Sequence, residues 1–295
     1  MSRTMTDQTT HTLEVSGATL TYDVRRTDTS SEPPLMLIGS PMGAAGFGTL
    51  SGHFADRTIV TYDPRGAERS RRTDGKNRST PDEHADDIHR IIAAVGLGPV
   101  DLFASSGGAV NALALVARHP EDVRTLVAHE PPDAAVLPDR DVALAVCEDI
   151  HETYLRKGLG PGMAKFIAAV THQGPFTAEY LKQPAPDPQM FGLATDDDGS
   201  RDDVLLAQNM ISCTHYEPDF AALRAAQTRI VLAAGEESEG TMASRGAYAV
   251  AARLGKTPVA FPSNHSGFLG GEYGQPAGKP EAFAAKLREV LAKDR

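Results

Sequence analysis

A serine hydroxyl becomes a nucleophile when a tight strand-to-helix turn holds it clear of the backbone and a histidine can take its proton. The segment Val100–His119 has the residue types for such a turn. An apolar run (Val100, Leu102, Phe103) leads into Ala104-Ser105-Ser106-Gly107-Gly108 and then directly into a helical pattern stopped by Pro120. Strand and helix backbones nearly touch at this kind of turn, so small residues are needed two places before and two places after the nucleophile. Centring on Ser106 puts Ala104 and Gly108 there, whereas centring on Ser105 would require Phe103 to be small. Ser106 is therefore the candidate nucleophile. The N–H of Gly107, at the positive end of the following helix, can bind an oxyanion. Glycines between strand and helix also suit a phosphate, but no P-loop Lys follows them and the spacing is not G-x-G-x-x-G.

The elements that must position Ser106 alternate along the chain. Short β-rich runs and amphipathic helical segments follow one another, the signature of βαβ units and a mostly parallel sheet in an α/β fold. His11–Val15 and Thr19–Val24 read as an opening hairpin turning at Ser16-Gly17-Ala18. After the polar stretch Arg26–Pro34, six more strands are predicted at Leu35–Ile38, Thr58–Tyr62, Val100–Phe103, Thr125–His129, Arg229–Ala233 and Thr257–Phe261, giving an eight-stranded sheet. A helix begins after Thr80, with Pro81 in its first turn and Glu83 completing a capping box. Its residues Ala85, Ile88, Ile91, Ile92 and Val95 make one apolar stripe. Gly107–His119 is a second helix, and Pro280–Lys293 closes the chain with Phe283, Leu287, Val290 and Leu291 facing inward. Between Pro131 and Ala226 the alternation gives way to predominantly helical patterns, broken at Gly158–Pro161, Pro184–Pro188 and Asp196–Asp203. This reads as a helical lid at 133–226, inserted after the sixth strand of a core formed by 1–132 and 227–295.

The chain has 295 residues, 41% hydrophobic and 23% charged, which suits one α/β domain carrying an insertion. A net charge of -10 argues against nucleic-acid partners, whose binding rests on neutralised phosphates. No apolar run approaches the roughly 20 residues that span a bilayer, and Met1–Thr12 lacks the apolar core of a signal peptide. The expectation is a cytoplasmic protein with no membrane partner; a homodimer is left open. Cys147 and Cys213 are expected as free, buried thiols, and no Cys/His cluster has metal-ligand spacing. The acidic run Asp196-Asp197-Asp198 lacks the pattern of a calcium loop and reads as solvated.

With these residues in view, the chain resembles the α/β-hydrolase superfamily, and within it a group of small bacterial serine hydrolases. Four features carry the likeness, which runs from about Leu13 to Leu291: the Ser106 turn, Ile38-Gly39-Ser40-Pro41-Met42-Gly43 after the third strand, Asp63-Pro64-Arg65-Gly66 after the fourth, and Asn264-His265 after the last. The resemblance implies His265 as general base, suited to accept and return a proton near neutrality. It implies an oxyanion hole formed by the N–H groups of Ser40 and Gly107. Ala104 stands where Gly is usual, and Ile38 where His is common. The acid of the triad is the largest departure. Most relatives carry an Asp three residues after a Gly ending the seventh strand; here that Gly is Gly235 and the position holds Ser238. Some members place the acid after the sixth strand instead, which here is Glu130. Glu130 is the favoured acid, with Glu237 or Glu236 as alternatives.

These readings lead to a cofactor-free serine hydrolase cleaving a carboxylic ester or lactone through an acyl-enzyme. The rival readings are C–C cleavage or non-hydrolytic chemistry on the same fold, and a non-catalytic ligand-binding protein. Apolar side chains in the insertion (Met163, Phe166, Ile167, Val170, Phe176, Met190, Phe191, Met210, Ile211) imply a small apolar substrate. The basic stretch Arg65–Arg78 is expected as a solvated loop, with Arg65 tied to Asp63; attraction of an anionic substrate is the other reading of it.

Overall fold

The computed structural model describes residues 8–27 and 30–293. Most of the polar opening Met1–Thr12 and two residues of the Arg26–Pro34 connector lie outside the described residues. The strands are β1 (Gln8–Val15), β2 (Ala18–Arg25), β3 (Leu35–Ile38), β4 (Ile59–Asp63), β5 (Arg71–Arg72), β6 (Val100–Ser105), β7 (Val123–His129), β8 (Arg229–Gly235) and β9 (Val259–Phe261). The α-helices are α1 (Gly48–Gly52), α2 (Pro81–Val95), α3 (Gly107–Arg118), α4 (Arg140–Lys157), α5 (Leu159–Thr171), α6 (Ala178–Leu181), α7 (Met210–Thr214), α8 (Phe220–Ala225), α9 (Met242–Arg253) and α10 (Pro280–Ala292). All eight expected strands are present, and the two-residue β5, paired with β2, makes a ninth. Spatial order runs β1-β2-β4-β3-β6-β7-β8-β9. β1 and β2 are antiparallel to their neighbours, and β3, β4, β6, β7, β8 and β9 are parallel.

The inner strands are mostly apolar and buried because both faces of the sheet are covered. Side chains alternate between the faces. In β6, Val100, Leu102 and Ala104 pack on one side with the apolar stripes of α2, α3 and α9, while Phe103 packs on the other with Phe268 and Phe283. The start of α2 is fixed by its capping box: the Glu83 N–H donates to Thr80 Oγ1 at 3.2 Å, and the Thr80 N–H donates to Glu83 Oε2 at 3.0 Å. Ala85, Ile88, Ile91, Ile92 and Val95 are all buried.

Between β7 and β8 the described chain has no strand and carries α4 to α8, joined by loops. It has a core of its own, in which Val146, Ile150, Tyr154, Phe176, Leu206 and Met210 pack together. Residues Val204–Asn209 form a π-helix, a wide turn frequent at functional sites. No helix among the described residues is long and apolar enough to cross a membrane.

The expected tie between Arg65 and Asp63 is not made. The Arg65 guanidinium donates twice to Asp87 of α2, at 2.7 and 2.6 Å, and both side chains are buried. A buried carboxylate on the inner face of α2 needs such a bidentate partner. Asp63 is taken instead by Arg69 Nε at 2.6 Å and by the Ala44 N–H at 2.8 Å. Arg72 binds Asp74 and Ser79, so much of the basic stretch is engaged with the protein's own acceptors.

Candidate active site

Ser106 stands between the last residue of β6 and the first of α3, with φ 58° and ψ -131°. A side-chain-bearing residue in such a region costs about 1–3 kcal/mol and persists only where its surroundings dictate it. Here they do. The Ser106 N–H donates to the His129 carbonyl at 3.0 Å, and the Ser106 carbonyl accepts from the Ala109 N–H at 2.9 Å. Helix α3 also approaches the end of β3 so closely that a Cβ on Gly108 would fall 2.8 Å from Gly39 Cα. That contact is the physical reason for a small residue two places after Ser106. Ser105 points elsewhere: its hydroxyl is buried, 3.1 Å from His129 Nδ1.

The loop after β7 supplies Glu130, whose side chain is fully buried and whose φ is 49°. Its N–H donates to the Ala233 carbonyl of β8 at 3.0 Å. One carboxylate oxygen, Oε1, accepts the Gly235 N–H at 2.8 Å, and the other, Oε2, lies 2.6 Å from His265 Nδ1. Burial alone would raise the Glu130 pKa. The bond to His265, the positive charge that the neighbouring rings can carry and the Gly235 N–H outweigh it, and hold the carboxyl at about 2. A group ionised in so buried a seat has its charge matched by these partners. His265 comes from the loop after β9, where Ser263 also has a positive φ of 72°. Five non-glycine residues have positive φ among those described, and three of them (Ser106, Glu130, Ser263) sit at the carboxyl ends of β6, β7 and β9. Ligands bind at this edge of open α/β sheets.

Ser106 and His265 line one chamber, together with Ser40 and Gly107. Among the described residues no hydrogen bond joins Ser106 Oγ to His265, whose Nδ1 is held by Glu130. Gly107 opens α3, so its N–H has no partner within the helix. Ser40 is nearly buried, and its carbonyl abuts Gly107, where a Cβ would come within 2.6 Å.

Among the described residues neither Glu236 nor Glu237 hydrogen-bonds His265. Glu237 is bound by Lys279 Nζ at 2.5 Å and lies near Ser263 Oγ at 3.5 Å, with its side chain about half exposed. Glu236 is exposed. Ser238 is buried beside Gly235, with a hydroxyl that has no partner.

Asn209, which sequence reasoning did not single out, also faces the chamber. It closes the π-helix, its Nδ2 donating to the Val204 carbonyl at 2.8 Å. Its Oδ1 lies 3.0 Å from His84 Nε2 and 3.5 Å from Ser40 Oγ. Burial drives the His84 pKa down to about 4, so the ring is neutral and donates from Nε2. The available signal was a pair of polar residues, Gln208-Asn209, inside the apolar run from Val204 to Ile211.

Of the apolar residues expected around a substrate, Met163, Phe166, Ile167, Val170, Phe191 and Met210 line the chamber. Phe176 is buried in the core of the insertion, and Met190 is exposed. Cys147 and Cys213 are unpaired and buried, and burial pushes their thiols up to about 11 and about 12. His89, His119 and Glu121 bring potential metal-ligand atoms within 4.8 Å of one another, away from the chamber lining. Their two rings stack with centroids 3.9 Å apart, and Asp122 holds His89 Nδ1 at 2.6 Å.

The chain is 30% identical over 290 residues to the Bacillus subtilis (strain 168) protein described as uncharacterized hydrolase YraK, with 96% of each chain covered. Its fold is similar to that of a thermophilic esterase from Thermogutta terrifontis (TM-score 0.63, 18% identity, 96% of this chain and 98% of the other). It is also similar to the enol-lactonase of Burkholderia xenovorans LB400 (TM-score 0.64, 15% identity, 96% and 100%). Residues 42–190 match the family model of the alpha/beta hydrolase fold. The chain is thus a hydrolase of the α/β-hydrolase family.

Proposed function

We propose that this hydrolase cleaves a carboxylic ester or lactone through an acyl-enzyme on Ser106. In this reading His265 takes the Ser106 proton as the hydroxyl oxygen attacks the acyl carbon, and Glu130 fixes the ring and its charge. The N–H groups of Gly107 and Ser40 receive the negative charge that develops on the carbonyl oxygen. His265 then gives its proton to the leaving oxygen, and a water activated by the same ring releases the acid. Asn209 steadies Ser40 from the side of the insertion.

The observation that carries this reading is the 2.6 Å contact between Glu130 Oε2 and His265 Nδ1. A histidine held at Nδ1 by a buried carboxylate has its Nε2 free for proton transfer, and the ring shares a chamber with a serine in a strained turn. The test is a fluorophosphonate probe followed by mass spectrometry. A stoichiometric adduct on Ser106, lost in Ser106→Ala together with turnover of p-nitrophenyl acetate, is the expected result. An adduct on Ser105, or none at all, would overturn it.

A further inference from the structure

The chamber beside Ser106 has a volume of about 1020 Å³, at the upper end of the range for pockets that enclose a drug-sized ligand. A short acyl ester would leave most of it unfilled. The lining divides by element. Helices α4 and α5 and the π-helix contribute mostly apolar residues, among them Ile150, Met163, Phe166, Ile167 and Leu205, with Thr171 and Asn209 as the polar exceptions. The loops that follow β8 and β9, on the side from which His265 enters, contribute mostly polar, uncharged residues (Ser238, Thr241, Asn264, Ser266 and Gln275), with Pro276 and Ala277 among them. Among the described residues no Lys or Arg lines the chamber, and its one carboxylate, Glu237, is bound to Lys279. A carboxylate on the substrate would find no cation there, and burying it unpaired is costly.

The chemistry assigns an end of the substrate to each part. His265 must deliver its proton to the oxygen of the departing alcohol, so the leaving group lies on the His265 side, against the polar loops. The acyl group then lies against α4 and α5. We infer that the substrate is a neutral ester that joins an extended apolar acyl chain to a polar, uncharged alcohol bearing hydroxyl or amide groups. This rests on the serine-hydrolase reading above. In the acylation step the Ser106 Oγ–acyl carbon bond forms and the acyl carbon–alcohol oxygen bond breaks. The Ser106 proton passes by His265 to that oxygen, and water later cleaves the new ester to give the free acid.

The experiment compares kcat/KM for p-nitrophenyl acetate, butyrate, octanoate and dodecanoate. It then compares monooctanoylglycerol with ethyl octanoate, and p-nitrophenyl octanoate with an ester of like length ending in a carboxylate. Octanoate should exceed acetate by at least about tenfold, since each buried methylene adds to binding. The glycerol ester should exceed the ethyl ester, and the terminal carboxylate should lower kcat/KM by about a hundredfold. Met163→Trp and Ile167→Trp, both at partly buried positions, should each lower the octanoate-to-acetate ratio about tenfold. Fluorophosphonate labelling of each variant reports that its site is intact. Acetate preferred over octanoate, an unchanged ratio in both labelled variants, or a carboxylate-ended ester turned over as fast as the neutral one would overturn the inference and leave the serine-hydrolase reading standing. Absence of both labelling and turnover in the parent enzyme would overturn that reading first.

Discussion

Two neighbouring strand-end loops each carry a carboxylate, Glu130 and Glu237, and they treat it in opposite ways. The loop after β7 buries Glu130 completely, turns its backbone to a φ of 49°, and gives one carboxylate oxygen to the Gly235 N–H and the other to His265. The loop after β8 leaves the Glu237 side chain about half exposed and bound to Lys279, and has the unpartnered hydroxyl of Ser238 in the buried position. The difference teaches that the charge and direction of a carboxylate are set by its seat more than by its nearness to the crevice. A buried carboxylate with a backbone donor and a ring partner is fixed in both charge and direction, whereas a half-exposed one paired with lysine is free to turn. β8 still takes part, because its Gly235 N–H is one of the two groups that hold Glu130.

The comparison breaks most directly at Glu130. Glu130→Gln keeps the size but places an amide against His265 Nδ1, which favours the wrong tautomer; the equivalent change in a Ser-His-Asp protease lowers kcat about 10⁴-fold. Loss of about 10³- to 10⁴-fold in kcat is expected, with little change in KM, measured on a chromogenic ester at pH 8. Retention of most activity would move the acid elsewhere.

The second effect comes from His129, which is buried beside Glu130 and packs on Phe103, Phe261, Phe268 and Phe283. Burial depresses its pKa to about 4, below the ordinary 6.5. In the unfolded chain the ring takes a proton as pH falls through 6.5, while the folded ring stays neutral until about 4. Stability is therefore full above 6.5 and is lost across that window, by about 2 kcal/mol between pH 7 and pH 5. Urea unfolding at the two pH values should show a loss smaller by about 2 kcal/mol in His129→Phe than in the parent protein. Equal losses would mean that the ring takes up a proton in place.

How much of this was legible beforehand depends on the range of the interaction. The turn at Ser106 could be read because its constraints lie within five residues, and the capping box of α2 for the same reason. Glu130 could be located at the end of its strand only through a likeness to other hydrolases. Its bond to Gly235 could not be read at all, since it depends on the pairing of strands more than a hundred residues apart in sequence. The partner of Arg65 was misread because the sequence offers Asp63 two residues away, while the fold brings up Asp87 from α2. Asn209 was missed because the polar pair Gln208-Asn209 does not by itself reveal a π-turn, and its partners Ser40 and His84 come from distant segments.

Adding an acid to the second loop sharpens the contrast. In the Glu130→Gln background, Ser238→Asp puts a carboxylate at the buried position beside Gly235, in the wall of the chamber that His265 also lines. Recovery of at least about tenfold in kcat, worth about 1.4 kcal/mol of barrier, is expected. No recovery in a variant that still unfolds cooperatively would mean that this loop has lost its aim at the ring.

The smallest effect is expected at Glu237, and it is informative for being small. Glu237 lines the chamber and lies two residues past the end of β8, so nearness alone would make it a fair rival to Glu130. Its carboxylate binds Lys279, whose side chain is also about half exposed, and exposed ion pairs of this kind contribute about 0–1 kcal/mol. Glu237→Gln should therefore change kcat by less than about threefold and leave cooperative unfolding intact. Lys279→Met should behave in the same way, because removing the partner frees a carboxylate that water can solvate. If Glu237→Gln lowered kcat by more than a hundredfold while Glu130→Gln did not, the half-exposed loop would hold the acid, and the buried seat after β7 would be a structural tie between two strands.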